Sequence, residues 1–362
     1  MAKFTSAERV FRALERKESD RVPHFELLID RRVVNQILPK ASYEEFIEYM
    51  DWDALMHVER DFIKEEVIGD NPKAIRDEWG VVKRYTHERA PVPVESEAPI
   101  KSEKDLANYD IPDPDDERRF EQIRQWVKRY KGERAIIAVV LDHHAVTSDI
   151  VGFTERLMTF YTNPDLVLQI NKIVLEYQLR YINNAIDAGA DIIWIAGDWA
   201  MNSGPVFSPE HYNKFVLPPF QSLARKAKER GVYVMKHSDG NCWPFLDSIV
   251  AAGIDCFHPV DPLAGMDIGE VKRKYGSKLC LMGNVNCATT LKSGTADEVR
   301  QETKEVMRKA GMGGGLIVSS SNSIHSGVKP ENYIAMVETI HRYGKYPLED
   351  YFDNLVVPET VN

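Results

Sequence analysis

No run of 18 apolar residues occurs in the 362-residue chain, so no helix able to span a membrane is expected. Cysteine is scarce. Cys242, Cys256, Cys280 and Cys287 are the only four, and no two form a C-x-x-C pair. A core of this size needs no disulfide staples, and a reducing compartment is expected. Positive charge is also in short supply: 46 Lys and Arg stand against 56 Asp and Glu, a formal net charge of −10. Phosphate backbones are held by basic surfaces, so no nucleic-acid partner is expected, and a highly anionic substrate fits poorly. The opening residues MAKFTSAERVFRALERKESD read as a charged helix without the apolar stretch of a secretory signal, which points to the cytoplasm. A dinucleotide loop is missing too. No G-x-G-x-x-G follows the first strand, and Gly311-Met-Gly-Gly-Gly315 precedes a strand, so it reads as a turn.

What is present is a long alternation of strand and helix patterns. A helix capped by Thr5 or Ser6 carries the stripe Ala7, Val10, Phe11, Leu14. Val22–Leu28 follows as a strand, with Pro23 near its start. Residues 30–130 are less regular. Helical pieces near 43–50 and 115–130 flank a small hairpin around Trp79–Tyr85. This reads as an elaboration and not a second domain, so one domain over 1–362 is expected. From residue 134 the runs 135–141, 191–196, 232–235, 256–257, 278–282 and 315–318 are apolar on both faces, as in a covered parallel sheet. Helical patterns lie between them at 164–188, 209–230, 243–252, 267–275, 296–310 and 330–343. This is an α/β chain, either a (β/α)8 barrel or a doubly wound sheet. Polar clusters at most of the strand ends favour the barrel, whose site is assembled at the C-terminal ends of many strands.

Those strand ends supply the candidate site. His237-Ser238-Asp239-Gly240-Asn241 is the sharpest motif. In extended backbone His237 and Asp239 point to one side, where they can bind a metal or act as an acid/base pair. A capped turn, with Asp239 or Asn241 as N-cap, is the plainer alternative. Gly240 lets the chain turn away. Of Asp142, His143 and His144, one is expected to line the pocket, because neighbouring strand residues face opposite ways. Asp198 ends another strand, with Trp199 and Met201 as candidate apolar walls. Glu26 lies inside the first strand, facing either the barrel interior or the helix layer. Asn284, Asn322 and His325 end the last two strands, although His325 also reads as an ordinary loop residue. Cys242 reads as a small buried side chain and is not counted as a ligand.

Several motifs in order carry a resemblance. Arg21-Val-Pro23, Asp77-Glu-Trp-Gly80, Gly204-Pro-Val-Phe-Ser-Pro-Glu210, His237-Ser-Asp-Gly-Asn241, Met282-Gly-Asn284, Gly294-Thr-Ala-Asp-Glu-Val299 and Lys329-Pro-Glu-Asn332 resemble the uroporphyrinogen decarboxylase superfamily over nearly the whole chain. The resemblance implies a (β/α)8 TIM barrel with N-terminal elaborations and a pocket at the C-terminal strand ends. True decarboxylases of this group bind an octacarboxylate through an arginine-rich N-terminal motif. Here Leu27–Val33 keeps only Arg31 and Arg32 of that motif, and Glu26, Asp142, Asp198 and Asp239 would repel a polyanion. The branch that methylates thiols holds zinc with His-x-Cys and a later Cys. Here those positions read His237, Asp239 and Asn322.

A third branch comprises the methyltransferases of corrinoid O-demethylase systems. Resemblance to it implies an enzyme that takes methyl from an aryl methyl ether and gives it to Co(I) of a separate corrinoid protein carrying cobalamin. In that reading His237, Asp239, Glu26 and Asp198 are catalytic. Asp142, His143, Trp199, Met201, Asn284, Asn322 and His325 bind substrate. A zinc ion, if one is used, sits on His237 and Asp239. A homodimer is compatible with the family. The alternatives are another methyl donor, a thiol acceptor, or porphyrinogen decarboxylation.

Overall fold

The computed structural model describes residues 4–59, 66–70, 73–85 and 92–348, with only the backbone of 66–70 and 73. Its centre is a curled sheet of seven parallel strands. They are β1 (Ala54–Val58), β2 (Ala135–Leu141), β3 (Ile192–Ala196), β4 (Tyr233–His237), β5 (Cys256–His258), β6 (Cys280–Val285) and β7 (Leu316–Ser320), hydrogen-bonded in that order. Residues 136–140 and 192–195 are fully or almost fully buried, as strands covered on both faces should be. Helices Pro164–Asp187, Ala296–Ala310 and Pro330–Tyr343 follow the sequence patterns within a residue.

The eighth position is filled by the segment expected as the first strand. Val318 N donates to Pro23 O at 3.0 Å on one side, and Asp53 N donates to His24 O at 3.0 Å on the other. Isolated parallel bridges join His24 to Val318 and Ile29 to Ile324. The segment therefore closes the barrel without being a regular strand. Two residues account for this. Pro23 has no N–H to give, and further along Ser320 N donates to the Glu26 carboxyl at 3.0 Å, a side chain standing in for a ladder carbonyl. The fold class is thus the expected TIM-barrel type. β1 was not expected, because its Ala-Leu-Met-His-Val run is short and holds a histidine.

The elaboration after β1 is larger than one hairpin. Strands 66–70, 73–76, 82–84 and 92–93 form an antiparallel sheet. The turn of the expected hairpin is built by Asp77, whose Oδ1 accepts from Trp79 N and Val81 N at 3.0 Å each. Thr5 caps the first helix in a capping box with Glu8. Gly313, Gly314 and Gly315 all have φ between 75° and 85°, and a Cβ on Gly314 would run into the Lys17 backbone, so this stretch is the expected turn. Among the described residues no helix is long and apolar enough to cross a membrane.

Candidate active site

β4 presents two adjacent polar residues, Lys236 and His237, to opposite sides. His237 reaches the C-terminal mouth of the barrel. Its Nε2 lies 3.4 Å from Asp198 Oδ1 and 3.7 Å from Asp239 Oδ1. Asp239 N donates to Asp198 Oδ1 at 3.0 Å, which ties the two loops together. Asn322, just past β7, donates through Nδ2 to Asp239 Oδ2. Asp239 Oδ1 is buried and has no hydrogen-bond partner. Gly240 turns the chain at φ 81°, where a Cβ would strike the Ala200 carbonyl.

The far side of the His237 ring is also held. Its Nδ1 lies 2.8 Å from Nδ1 of His258, at the end of β5. Burial, followed by the charge of His237, holds the His258 pKa well below the ordinary histidine value. His258 is therefore neutral, and in the tautomer that carries its proton on Nε2 its Nδ1 accepts from His237 Nδ1–H. That fixes which nitrogen of His237 faces the carboxylates. Burial alone would lower the His237 pKa, but the charges of Asp239 and Asp198 outweigh it and raise it. The two carboxylates divide accordingly. Asp198 overcomes its desolvation through the His237 hydrogen bond and charge and is held low. Asp239 is pushed up to about 6 by burial, against the pull of His237 and with the charges of Asp198 and Asp261 adding to the rise.

Lys236 points the other way, into the wall behind the site. Its Nζ donates to Asp142 Oδ2 at 2.9 Å and to Gly197 O at 2.7 Å, and sits 4.0 Å from the centre of the Trp199 ring. Trp199 Nε1 donates to the same Asp142 oxygen at 2.6 Å, and Trp199 N donates to Ser238 Oγ at 3.0 Å. A Cβ at Gly197 would overlap the Asp142 carboxyl. This buried clamp fixes residues 197–199, and so fixes Asp198 against His237.

The structure therefore brings His237, Asp239, Asp198 and Asn322 together and sends several other sequence candidates elsewhere. Asp142 does not line the mouth: it pairs with Lys236 and caps the helix His143–Val151 through Ala145 N. His143 lies on that helix, not on a strand, and contacts the Phe215 carbonyl at 2.9 Å. Trp199 is fully buried among Tyr212, Phe220 and Phe245, so it is core and not a pocket wall. Met201 is exposed at the rim. Asn284 donates to the Val260 carbonyl, and His325 contacts the carbonyl of Cys287, in the loop that follows β6. Cys242 is buried with its Sγ 3.2 Å from Ser238 Oγ. Lys236 and His258 were missed in the sequence. A lone lysine ending the apolar run Tyr-Val-Met was the signal for the first. His258-Pro259 at the end of a three-residue strand left little signal for the second.

Glu26 faces the helix layer. Phe25 packs edge-on to Trp194 at 6.3 Å, while His24 meets His341 of the helix Pro330–Tyr343, and Glu26 shares the face of His24. Burial pushes its carboxyl up to about 8, against the Ser320 hydrogen bonds, which pull it down. The native state thus keeps a proton that the unfolded chain gives up near its ordinary value of 4.5. Stability should fall as pH rises from that value toward about 8, by roughly 1.4 kcal/mol per unit. Glu26→Gln should match wild type in urea midpoint at pH 5 and exceed it at pH 8.5. Equal midpoints at pH 5 and at pH 8.5 would show that the native carboxyl is not raised above its ordinary value.

The uroporphyrinogen decarboxylase (URO-D) family model matches residues 82–343. The uroporphyrinogen decarboxylase of Vibrio cholerae serotype O1 is 27% identical over 289 residues, covering 75% of this chain and 76% of that protein. That of Alkalilimnicola ehrlichii is 23% identical and covers 92% and 93%. Among solved structures, a methyltransferase from Methanosarcina mazei superposes with a TM-score of 0.70 at 21% identity, over 94% of this chain and 99% of that one. That likeness shows the shared fold.

Proposed function

The chain belongs to the uroporphyrinogen decarboxylase family, and from that premise we propose that it is a corrinoid-linked methyltransferase. It takes the methyl group of an aryl methyl ether and passes it to Co(I) carried by a separate corrinoid protein. One observation carries the reading. At the three positions where thiol-methylating relatives are expected to hold zinc with imidazole and two thiolates, His237, Asp239 and Asn322 stand side by side, and Asp198 completes a set of one imidazole and two carboxylates. No thiolate set is built there to activate a thiol, whereas imidazole and carboxyl groups suit the protonation of a leaving oxygen.

The ether lies in the barrel mouth with its methyl toward solvent, where the partner docks. The Co(I) electron pair forms the bond to the methyl carbon as the C–O bond breaks, and the electrons of that bond go to oxygen. His237, raised by its carboxylate neighbours, or Asp239, raised by burial, gives the proton that turns the phenolate into a phenol. His258 and the Lys236–Asp142 clamp hold these groups in place, so the alignment is made before the donor arrives. The donor atoms of Asp198, His237 and Asp239 also lie within 4.8 Å of one another, and the unpartnered Asp239 Oδ1 is among the groups they offer. This oxygen and nitrogen set fits zinc or a similar divalent ion. Such an ion, when bound, would polarise the ether oxygen as a Lewis acid. Metal analysis after equilibration with zinc should find one equivalent per chain, lost in Asp198→Asn together with Asp239→Asn. Equal zinc in wild type and the double variant would remove the metal from this site.

A second reading, decarboxylation of a porphyrinogen, is favoured by the names of the relatives. Against it, only Arg31 and Arg32 remain of the arginine motif, Arg31 gives an Nη2–H to the Ala41 carbonyl, and the carboxylates Asp198 and Asp239 at the mouth would repel a polyanion. The deciding experiment mixes the protein with Co(I) corrinoid protein and offers guaiacol, veratrole or a methylamine in separate cuvettes. Loss of the Co(I) absorbance with an aryl ether alone supports the proposal. No change with any donor, together with loss of carboxyl groups from uroporphyrinogen, would replace it with the second reading.

A further inference from the structure

A cavity of about 530 Å³ opens between the helices Tyr43–Tyr49 and Glu121–Tyr130, over the ends of the segment 22–29 and of β1. None of the triad residues lines it. We infer that it is a second ligand site, for an organic cation whose ammonium N–H donates to the Glu44 carboxylate and whose alkyl or ring body lies on the apolar wall. The inference stands apart from the proposed methyl transfer, since it uses none of the same residues.

Glu44 sets the charge. Its Oε1 accepts from Trp126 Nε1 at 2.8 Å and from Gln122 Nε2 at 3.0 Å. All three residues line the cavity, so the carboxylate stands in its wall, held in one orientation by two donors. Neither donor is a cation. The other oxygen, Oε2, has no hydrogen-bond partner among the described residues and is not sealed from water. A ligand N–H therefore meets an acceptor that is already ordered. A hydrogen bond in which donor and acceptor are both charged is the strong kind.

The other charges exclude an anion. Glu121 adds a second carboxylate to the lining. Two guanidinium groups are there as well, but Arg119 is bound by Glu78 and Arg118 by Asp116, so both are matched before a ligand arrives. Counted with those partners, the four carboxylates of Glu44, Glu121, Glu78 and Asp116 face two cations. His57 adds no charge at pH 7, because burial holds its pKa down to about 4. The apolar wall sets the body of the ligand. The ring centres of Tyr43 and Trp126 stand 5.9 Å apart, and Met56 and the exposed Leu28 extend the same lining. Aromatic rings attract cations, and a volume of this size is that of a small-molecule site. A bare metal ion would gain nothing from the apolar side chains, which is why the cation is organic.

Ligand-observed NMR titrations of the full chain with cyclohexylammonium and with cyclohexanol at pH 7 test this. Neither probe carries a methyl group, so neither can serve as a methyl donor. The cation should saturate the wild type and bind at least about tenfold more tightly than the alcohol, the worth of a hydrogen bond to a charged group. Added salt should weaken the cation and leave the alcohol unchanged. The Trp126 indole N–H resonance, identified by its loss in Trp126→Phe, should shift with the cation, because that proton is bonded to Glu44. Glu44→Gln keeps an oxygen for Trp126 and Gln122 but removes the charge, and should bring the two probes to equal affinity. Three results would each overturn the assignment: no saturable binding of the cation; equal affinity for the two probes in wild type; or cation binding that Glu44→Gln leaves unchanged. If Asp198→Asn together with Asp239→Asn removes that binding instead, the cation sits at the barrel mouth.

Discussion

Lys236→Met should destabilise the protein by about 3–5 kcal/mol, the cost of leaving one partner of a buried ion pair unmatched. Both side chains of the Lys236–Asp142 pair are fully buried. Methionine keeps the volume and the contact with Trp199, so lost packing is a minor part of the effect. The damage comes from Asp142, which would keep its charge in the core with only the indole N–H and the Ala145 N–H for company. The pH dependence separates this cause from others. In wild type, burial tends to raise the Asp142 pKa, but Lys236 and the neighbouring histidines outweigh it and the net shift is downward. That stability is present above the unfolded carboxyl value and is lost as pH falls through the native one. Without Lys236 the burial effect wins and the sign reverses, so the variant should lose stability as pH rises. The gap in denaturant midpoint between the two proteins should narrow from pH 7 toward pH 4.5. Adding Asp142→Leu to Lys236→Met should restore part of the loss, because it removes the orphaned charge. A single variant within 1 kcal/mol of wild type at pH 7, by the order of magnitude expected for exposed pairs, would show that water reaches the pair.

The same pair marks where the sequence stopped being readable. The runs at 135–141 and 191–196 were legible because a strand buried on both faces must be apolar throughout. The helix 164–188 was legible from its length and period. The segment 22–29 looked like a strand and holds a strand's place, yet Pro23 and the Glu26 carboxyl interrupt its ladder in a way no local pattern shows. Asp142 looked like a site residue because it follows a strand. Its true neighbour, Lys236, is 94 residues away. Nothing local distinguishes an aspartate that faces a pocket from one that caps a helix and neutralises a buried lysine. His143 and His144 were misplaced for the same reason, since the strand ends at Leu141 and Asp142 begins a helix. By contrast His237 and Asp239 are separated by one residue, and their shared side follows from backbone geometry alone. Asp198 and Asn322 joined them from strand ends, as a barrel permits.

The largest effect on turnover is expected from His237→Ala, which should cut Co(I) methylation by an aryl ether by about 100-fold or more. The imidazole touches both carboxylates and a second histidine, so its loss removes one of the two candidate proton donors and frees Asp198 and Asp239 to repel each other. Asp239→Ala should cost a similar factor, because it removes the raised carboxyl and the partner of Asn322. A fold-wide collapse would give the same loss for a trivial reason, so thermal unfolding must be measured beside it. His258→Phe supplies the sharper discrimination. It leaves His237, Asp198 and Asp239 in the chain but takes away the acceptor that fixes the His237 ring. The donor should still bind, so KM should stay within a few-fold while kcat falls. His258→Gln, which offers a carbonyl oxygen to His237 Nδ1–H, should recover part of kcat. If instead KM rises and kcat holds, His258 shapes the pocket and does not orient the imidazole. If His237→Ala retains activity within a few-fold of wild type, the chemistry belongs to another part of the barrel mouth, and neither acid/base nor metal catalysis at this triad survives.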